Sequence, residues 1–219
     1  MEFLHLPDVI ERNLTATFAY FDLLAVSLFS ISGSLAAIQK KFDFIGVFIV
    51  AFFSSVGGGL IRDAIFIQGG PPLVVTSSNY LLVILIGFAV SMFFYRSLSK
   101  MVMTMKLVDA ISLGMYSVVG ASAALRAELV PIAAVLVGMF NAVGAGLIRD
   151  VLIGETPVIF KPGRFYAGAA IVGSSLFTPL YGALSIDETL AALIAIVSTF
   201  LVRVLSVRFD WRTKPVLKD

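Results

Sequence analysis

Runs of about twenty apolar residues recur along almost the whole 219-residue chain, and a run of that length is what one helix needs to cross the hydrocarbon core of a bilayer. Seven such segments can be read, at 18–39, 44–67, 80–95, 107–125, 130–153, 165–184 and 188–206. In lipid each backbone N–H and C=O must be satisfied within the spanning structure, which makes these segments helices. Composition agrees, with 59% hydrophobic and 14% charged residues and a mean hydropathy of +1.00. Soluble domains hold about 45–50% apolar and about 25% charged residues. The expected fold is all-α: one polytopic membrane domain over 1–206 and a cytoplasmic tail over 207–219.

The same numbers exclude whole classes of function. Disorder is incompatible with this hydropathy. With no cysteine, a disulfide scaffold, a zinc finger, an iron–sulfur site and a cysteine nucleophile are all ruled out. The single histidine, His5, precedes the first span, so a Ser–His–Asp triad or a histidine metal cluster has no members. No nucleophile–base set is evident, and an enzyme is not expected. A net charge of +2 offers no basic surface for nucleic acid. Acidic Glu2, Asp8 and Glu11 precede the first apolar run where a signal peptide would be basic, so no cleavable leader is expected.

Loop charges set the expected orientation. With seven alternating spans, Arg12 and Arg126 fall on one side. Lys40, Lys41, Arg96, Lys100, Lys106, Lys161, Arg164, Arg203, Arg208, Arg212, Lys214 and Lys218 fall on the other. Positive charge stays cytoplasmic, which places the N-terminus outside and the C-terminus inside a cell membrane. The inner-face lysines could also meet anionic lipid headgroups.

The chain repeats internally. Val56-Gly57-Gly58-Gly59-Leu60-Ile61-Arg62-Asp63 returns as Val143-Gly144-Ala145-Gly146-Leu147-Ile148-Arg149-Asp150, a shift of 87 positions. The same shift carries Asp22 to Asp109, Ser30 to Ser117, Gly33 to Gly120 and Phe53 to Phe140, without a gap from Asp22 through Asp63. The repeats, about 18–97 and 107–184, hold three spans each. An odd number of spans makes the second copy enter the membrane from the opposite side. The expected plan is two inverted three-helix repeats plus a seventh helix at about 188–206, a plan in which permeant sites lie near the repeat interface.

Three consecutive glycines weaken a helix by about 1 kcal/mol each relative to alanine in water. In lipid the segment must pack closely on another helix or line a wet cavity. Gly57, Gly58, Gly59, Gly144 and Gly146, with Ala145 in place of a third glycine, are expected to bend or locally unwind spans two and five. Ser54, Ser55 and Asn141 sit just before these runs and could line a pore or bond to a neighbouring helix. Arg62, Asp63, Arg149 and Asp150 follow as ionisable residues within the spans, expected at a pathway or its mouths. Adjacent helical residues do not face each other, so Asp22 is the expected partner of Arg62, and Asp109 that of Arg149, by matched depth. The small residues at 169–173 are an expected association face, since small side chains let helices approach in lipid.

The two copies, GGGLIRD and GAGLIRD, each followed by proline, resemble the TRIC family of trimeric intracellular cation channels, including its prokaryotic members, and the resemblance covers nearly the whole chain. It implies a homotrimer with one ion pathway inside each subunit, lined by helices two and five and carrying potassium and sodium with no cofactor. Related duplicated-domain proteins are linked to transport of small amino acids, notably glycine, so a secondary carrier is the alternative to a channel.

Overall fold

The computed structural model describes residues 16–98, 102–161 and 165–211. His5, Arg12, Lys100, Arg164 and 212–219 lie outside the described residues. Each helix begins where local chemistry favours it. Asp43 caps the second helix by accepting a 2.7 Å hydrogen bond from the Gly46 amide, and Asp187 caps the last by accepting from the Leu190 amide at 3.0 Å. Pro131 stands at a first-turn position, where its missing N–H costs nothing.

The elements are α1 (Ala16–Gln39), α2 (Phe44–Ile61) continuing into a π-helical segment (Arg62–Ile67), short α3 (Leu73–Thr76), α4 (Ser78–Leu98), α5 (Val102–Arg126), α6 (Pro131–Leu152), a 3₁₀ turn (Val158–Phe160), α7 (Tyr166–Gly182) and α8 (Glu188–Arg208). There is no strand among the described residues. Six helices are long and apolar enough to cross a membrane: α1, α2 with its π segment, α4, the Lys106–Arg126 part of α5, α6 and α8. The 17 residues of α7 reach about 25 Å at 1.5 Å per residue, the short end of the spanning range. Helices α4 and α5 extend beyond 80–95 and 107–125, because helical hydrogen bonding continues past the last apolar side chain.

The centre is formed by α1, α2, α5 and α6, with α7 packed on α5 and α6, α8 on α5 and α7, and α4 on α1. Phe18, Phe29, Leu113, Tyr116 and Phe177 are fully buried there. Leu82, Ile86, Phe93 and Phe94 on α4, and Leu190, Val197 and Leu201 on α8, point outward, as an apolar face in contact with lipid or another subunit requires.

The glycine runs differ from expectation. Gly57–Gly59 and Gly144–Gly146 lie in unbroken α-helix, and the departure from α geometry comes later, at Arg62, in the first copy alone. The glycines work by contact instead. A Cβ at Gly58 would lie 2.1 Å from the Asn141 carbonyl oxygen, and one at Gly144 would lie 3.1 Å from the Gly58 Cα. Helices α2 and α6 therefore cross backbone against backbone, and their hydrogen bonds stay intact because the crossing itself occupies the missing side-chain space. The stretch at 169–173 is also not a free face. Ala169, Ala170 and Gly173 are buried within the subunit, and a Cβ at Gly173 would meet the Thr199 and Ser117 hydroxyls.

Candidate functional site

Arg62 ends the glycine segment of α2, and the π segment that starts there sets its side chain inside the subunit, only 1% exposed. Its Nη1 lies 3.7 Å from Asp22 Oδ1 on α1. Its Nε donates to Asp63 Oδ1 at 2.6 Å and its Nη2 to Asp63 Oδ2 at 3.1 Å. Asp63 Oδ2 also accepts from the amide of Leu73, which opens the short helix after Pro72. Tyr80 on α4 donates its hydroxyl to Asp22 Oδ2 at 2.5 Å. One arginine thus gathers two carboxylates, the tyrosine occupies the other Asp22 oxygen, and the Leu73 amide shares Asp63 Oδ2 with the guanidinium. Asp22 Oδ1 and Arg62 Nη1 are buried and make no hydrogen bond. Both border a small cavity of about 10 Å³, with Gly59, Tyr80 and Tyr116 among its other walls.

The second copy repeats this arrangement. Arg149 Nη1 lies 3.7 Å from Asp109 Oδ1, and Arg149 Nε and Nη2 donate to Asp150 Oδ1 at 3.0 and 2.8 Å. Asp150 Oδ2 accepts from the Val158 amide, which follows Pro157, and Tyr166 donates to Asp109 Oδ1 at 3.4 Å. Three differences separate the copies. The second pair is more open, at 14% and 16% side-chain exposure against 2% and 2% in the first. Arg149 also donates to Ser32 Oγ of the first repeat at 2.9 Å, and the guanidinium of Arg203 on α8 stacks 4.8 Å over the Tyr166 ring.

The depth-matched approaches Asp22–Arg62 and Asp109–Arg149 are therefore present, at 3.7 Å each. The adjacent pairs Arg62–Asp63 and Arg149–Asp150, not expected to meet, are the closer contacts. The neighbour rule concerns Cβ directions, and an arginine stem is long enough to fold back onto the next carboxylate. Sequence reasoning missed Tyr80 and Tyr166, and the Leu73 and Val158 amides. Their separations are 86 and 85 rather than 87, so a fixed shift loses them, while a comparison allowing a two-residue gap before Leu73 and a one-residue gap of opposite sense before Tyr80 would align both sets.

Between the two clusters lies the α2–α6 crossing. Ser54, Ser55 and Asn141 are fully buried. Asn141 Nδ2 donates to the Tyr116 carbonyl at 2.7 Å, the Tyr116 hydroxyl donates to the Ser55 carbonyl at 2.6 Å, and Ser55 Oγ bonds back to the Ala51 carbonyl. Ser54 Oγ and Asn141 Oδ1 make no hydrogen bond. Among the described residues no group of three or more His, Cys, Asp or Glu could hold a metal ion. At the two ends, Lys40 pairs with Glu155 and Arg126 with Glu188. Lys40, and secondarily Lys161, hold the Glu155 carboxyl below its usual range.

A family model described as "Glycine transporter" matches residues 19–96 and 106–182. The UPF0126 membrane protein of Deinococcus radiodurans is 35% identical, over 71% of this chain and 72% of its own. The UPF0126 inner membrane protein YadS of Escherichia coli K12 is 31% identical, over 89% and 93%. The crystal structure of the TRIC trimeric intracellular cation channel orthologue from Rhodobacter sphaeroides matches with a TM-score of 0.83 at 28% identity, over 89% of this chain and 99% of that one.

Proposed function

Because the chain belongs to the family that the glycine-transporter model describes, the family of the TRIC channel structures, we propose that it is a cation channel with a pathway inside each subunit. The observation that carries this reading is the small cavity inside a membrane-embedded subunit, about 10 Å³ and bordered by Asp22, Arg62 and Asp63, room for about one water molecule. Ionisable groups at such depth face water or an ion route far more often than lipid. In this reading the two repeats are inverted across the membrane and α8 is the seventh span. The N-terminus is outside, and the Lys40 and Lys161 end is cytoplasmic. Helices α2 and α6 line the route. Gly57, Gly58, Gly59, Gly144, Ala145 and Gly146 let its two walls cross closely, Ser54, Ser55 and Asn141 line its middle, and Asp63 and Asp150 make its two mouths negative. The permeant ions are potassium and sodium. Three subunits associate through apolar faces, and anionic lipid headgroups meet the basic side.

A carrier of a small zwitterion such as glycine is the second reading. It is favoured by one observation: Asp22 Oδ1 and Arg62 Nη1, one acceptor and one donor, border the same cavity 3.7 Å apart and make no hydrogen bond. Current recorded from purified protein in a planar bilayer separates the two. Unitary steps in potassium chloride are expected for the channel, whereas slow, saturable flux of the amino acid without steps would replace it by the carrier.

A further inference from the structure

We propose that Phe29 and Tyr116 form the gate of the pathway, closing it midway between the two charge clusters, and that the bond from the Tyr116 hydroxyl to the Ser55 carbonyl is its latch. The inference rests on the within-subunit pathway proposed above. Phe29 and Tyr116 are counterparts under the 87-residue shift, and each follows the aspartate of its own repeat by seven residues. Seven residues are close to two helical turns, so each ring shares a face with its aspartate, about 10.5 Å further along the helix. The cavity that starts at Asp22 and Arg62 has Tyr116, a residue of the other repeat, in its wall. The Phe29 and Tyr116 rings meet with centroids 5.2 Å apart and planes inclined at 38°, and each residue is 1% exposed.

The chemistry of this contact opposes an ion. Two aromatic rings in van der Waals contact leave no room for a hydration shell. The one polar atom they carry, the Tyr116 hydroxyl, is committed to Ser55 at 2.6 Å. A constriction of this kind blocks conduction by excluding water. Its surroundings hold it shut from both sides: Asn141 Nδ2 grips the Tyr116 carbonyl, and the Tyr116 ring lies 3.2 Å from where a Cβ on Gly58 would stand. The glycine crossing thus seats the gate. Opening requires the Tyr116 ring to swing away, which breaks the bond to Ser55. Phe29 has no hydroxyl, so the closing bond comes from the second repeat alone, and the gate is asymmetric.

Single-channel recording in planar bilayers tests this with Tyr116→Phe, which keeps the ring and removes the latch. The expected result is a rise of about 3- to 10-fold in the open-to-closed ratio, the range that losing one ordinary hydrogen bond gives, with unitary current unchanged. A merely structural role for the hydroxyl would leave that ratio where it was. Sided thiol labelling supplies a second readout, because the chain has no native cysteine. Val26→Cys in the cavity should react with a charged membrane-impermeant reagent from one side of the bilayer, and from both once Phe29→Ala is added. An unchanged open-to-closed ratio in Tyr116→Phe, or labelling that stays one-sided with Phe29→Ala, would overturn the gate while the wild type still conducts. A wild type without unitary current would overturn the channel reading, and the gate with it.

Discussion

At the scale of single residues, the fold accommodates six charged side chains in its interior by giving each arginine two carboxylates. Asp22→Asn or Arg62→Ala should each destabilise the protein by about 3–5 kcal/mol, the usual penalty for leaving one member of a buried pair alone. The double variant should lose less than the two single losses added, because the residues share one contact. Unfolding followed in detergent measures both. Asp109→Asn should be milder, since its pair keeps partial access to solvent. A separate expectation concerns Glu155, whose carboxyl is held below its ordinary value by the Lys40 hydrogen bond and charge. A carboxyl whose folded value is depressed stabilises the protein above its unfolded value of about 4.5. That contribution is lost as pH falls through the folded value. The melting temperature of the wild type should therefore drop more steeply below pH 4.5 than that of Glu155→Gln. Of the site, the sequence displayed the four charged residues and both aspartate partners, because the repeat brands them twice. The tyrosines and loop amides that complete each cluster were hidden by loops of unequal length, and the adjacent Arg–Asp contacts by a spacing rule that ignores side-chain reach.

At the scale of elements, the central feature is the crossing of α2 and α6. Gly58 is the position where backbone meets backbone, with only 2.1 Å between a would-be Cβ and the Asn141 oxygen. Gly59, one residue on, would place its Cβ 3.7 Å from its nearest neighbour, an ordinary contact. Gly58→Ala should thus destabilise the protein by about 1–3 kcal/mol through overpacking, and Gly58→Leu should disrupt the crossing. Gly59→Ala should be neutral or slightly stabilising, since alanine is the better helix former. Equal melting temperatures for Gly58→Ala and Gly59→Ala would remove the crossing as the reason for the glycine run. The long helices were legible from hydropathy because the bilayer demands about twenty apolar residues per span. The crossing was not, because a glycine run reads the same whether it unwinds a helix or admits a neighbour. The π segment at Arg62–Ile67 has no counterpart after Arg149, although the two sequences are nearly identical up to that point. The divergent stretches beyond, Ala64-Ile65-Phe66-Ile67 against Val151-Leu152-Ile153-Gly154, coincide with that difference, and Gly154 ends α6 with a positive φ of 72°.

At the scale of the whole molecule, the proposed channel has one route through a single subunit, along the two clusters, the crossing between them and the ring pair at its middle. Three subunits would then carry three routes, and nothing need pass along their common axis. The small-residue stretch at 169–173 is consumed inside the subunit, so association must use outward apolar faces such as those of α4 or α8. The direct measurement is block of single-channel current in Val26→Cys by a cationic thiol reagent applied from one side. Three independent pathways give loss of current in three equal steps. A single all-or-none step, or current that ignores the reagent altogether, would contradict a pathway within each subunit.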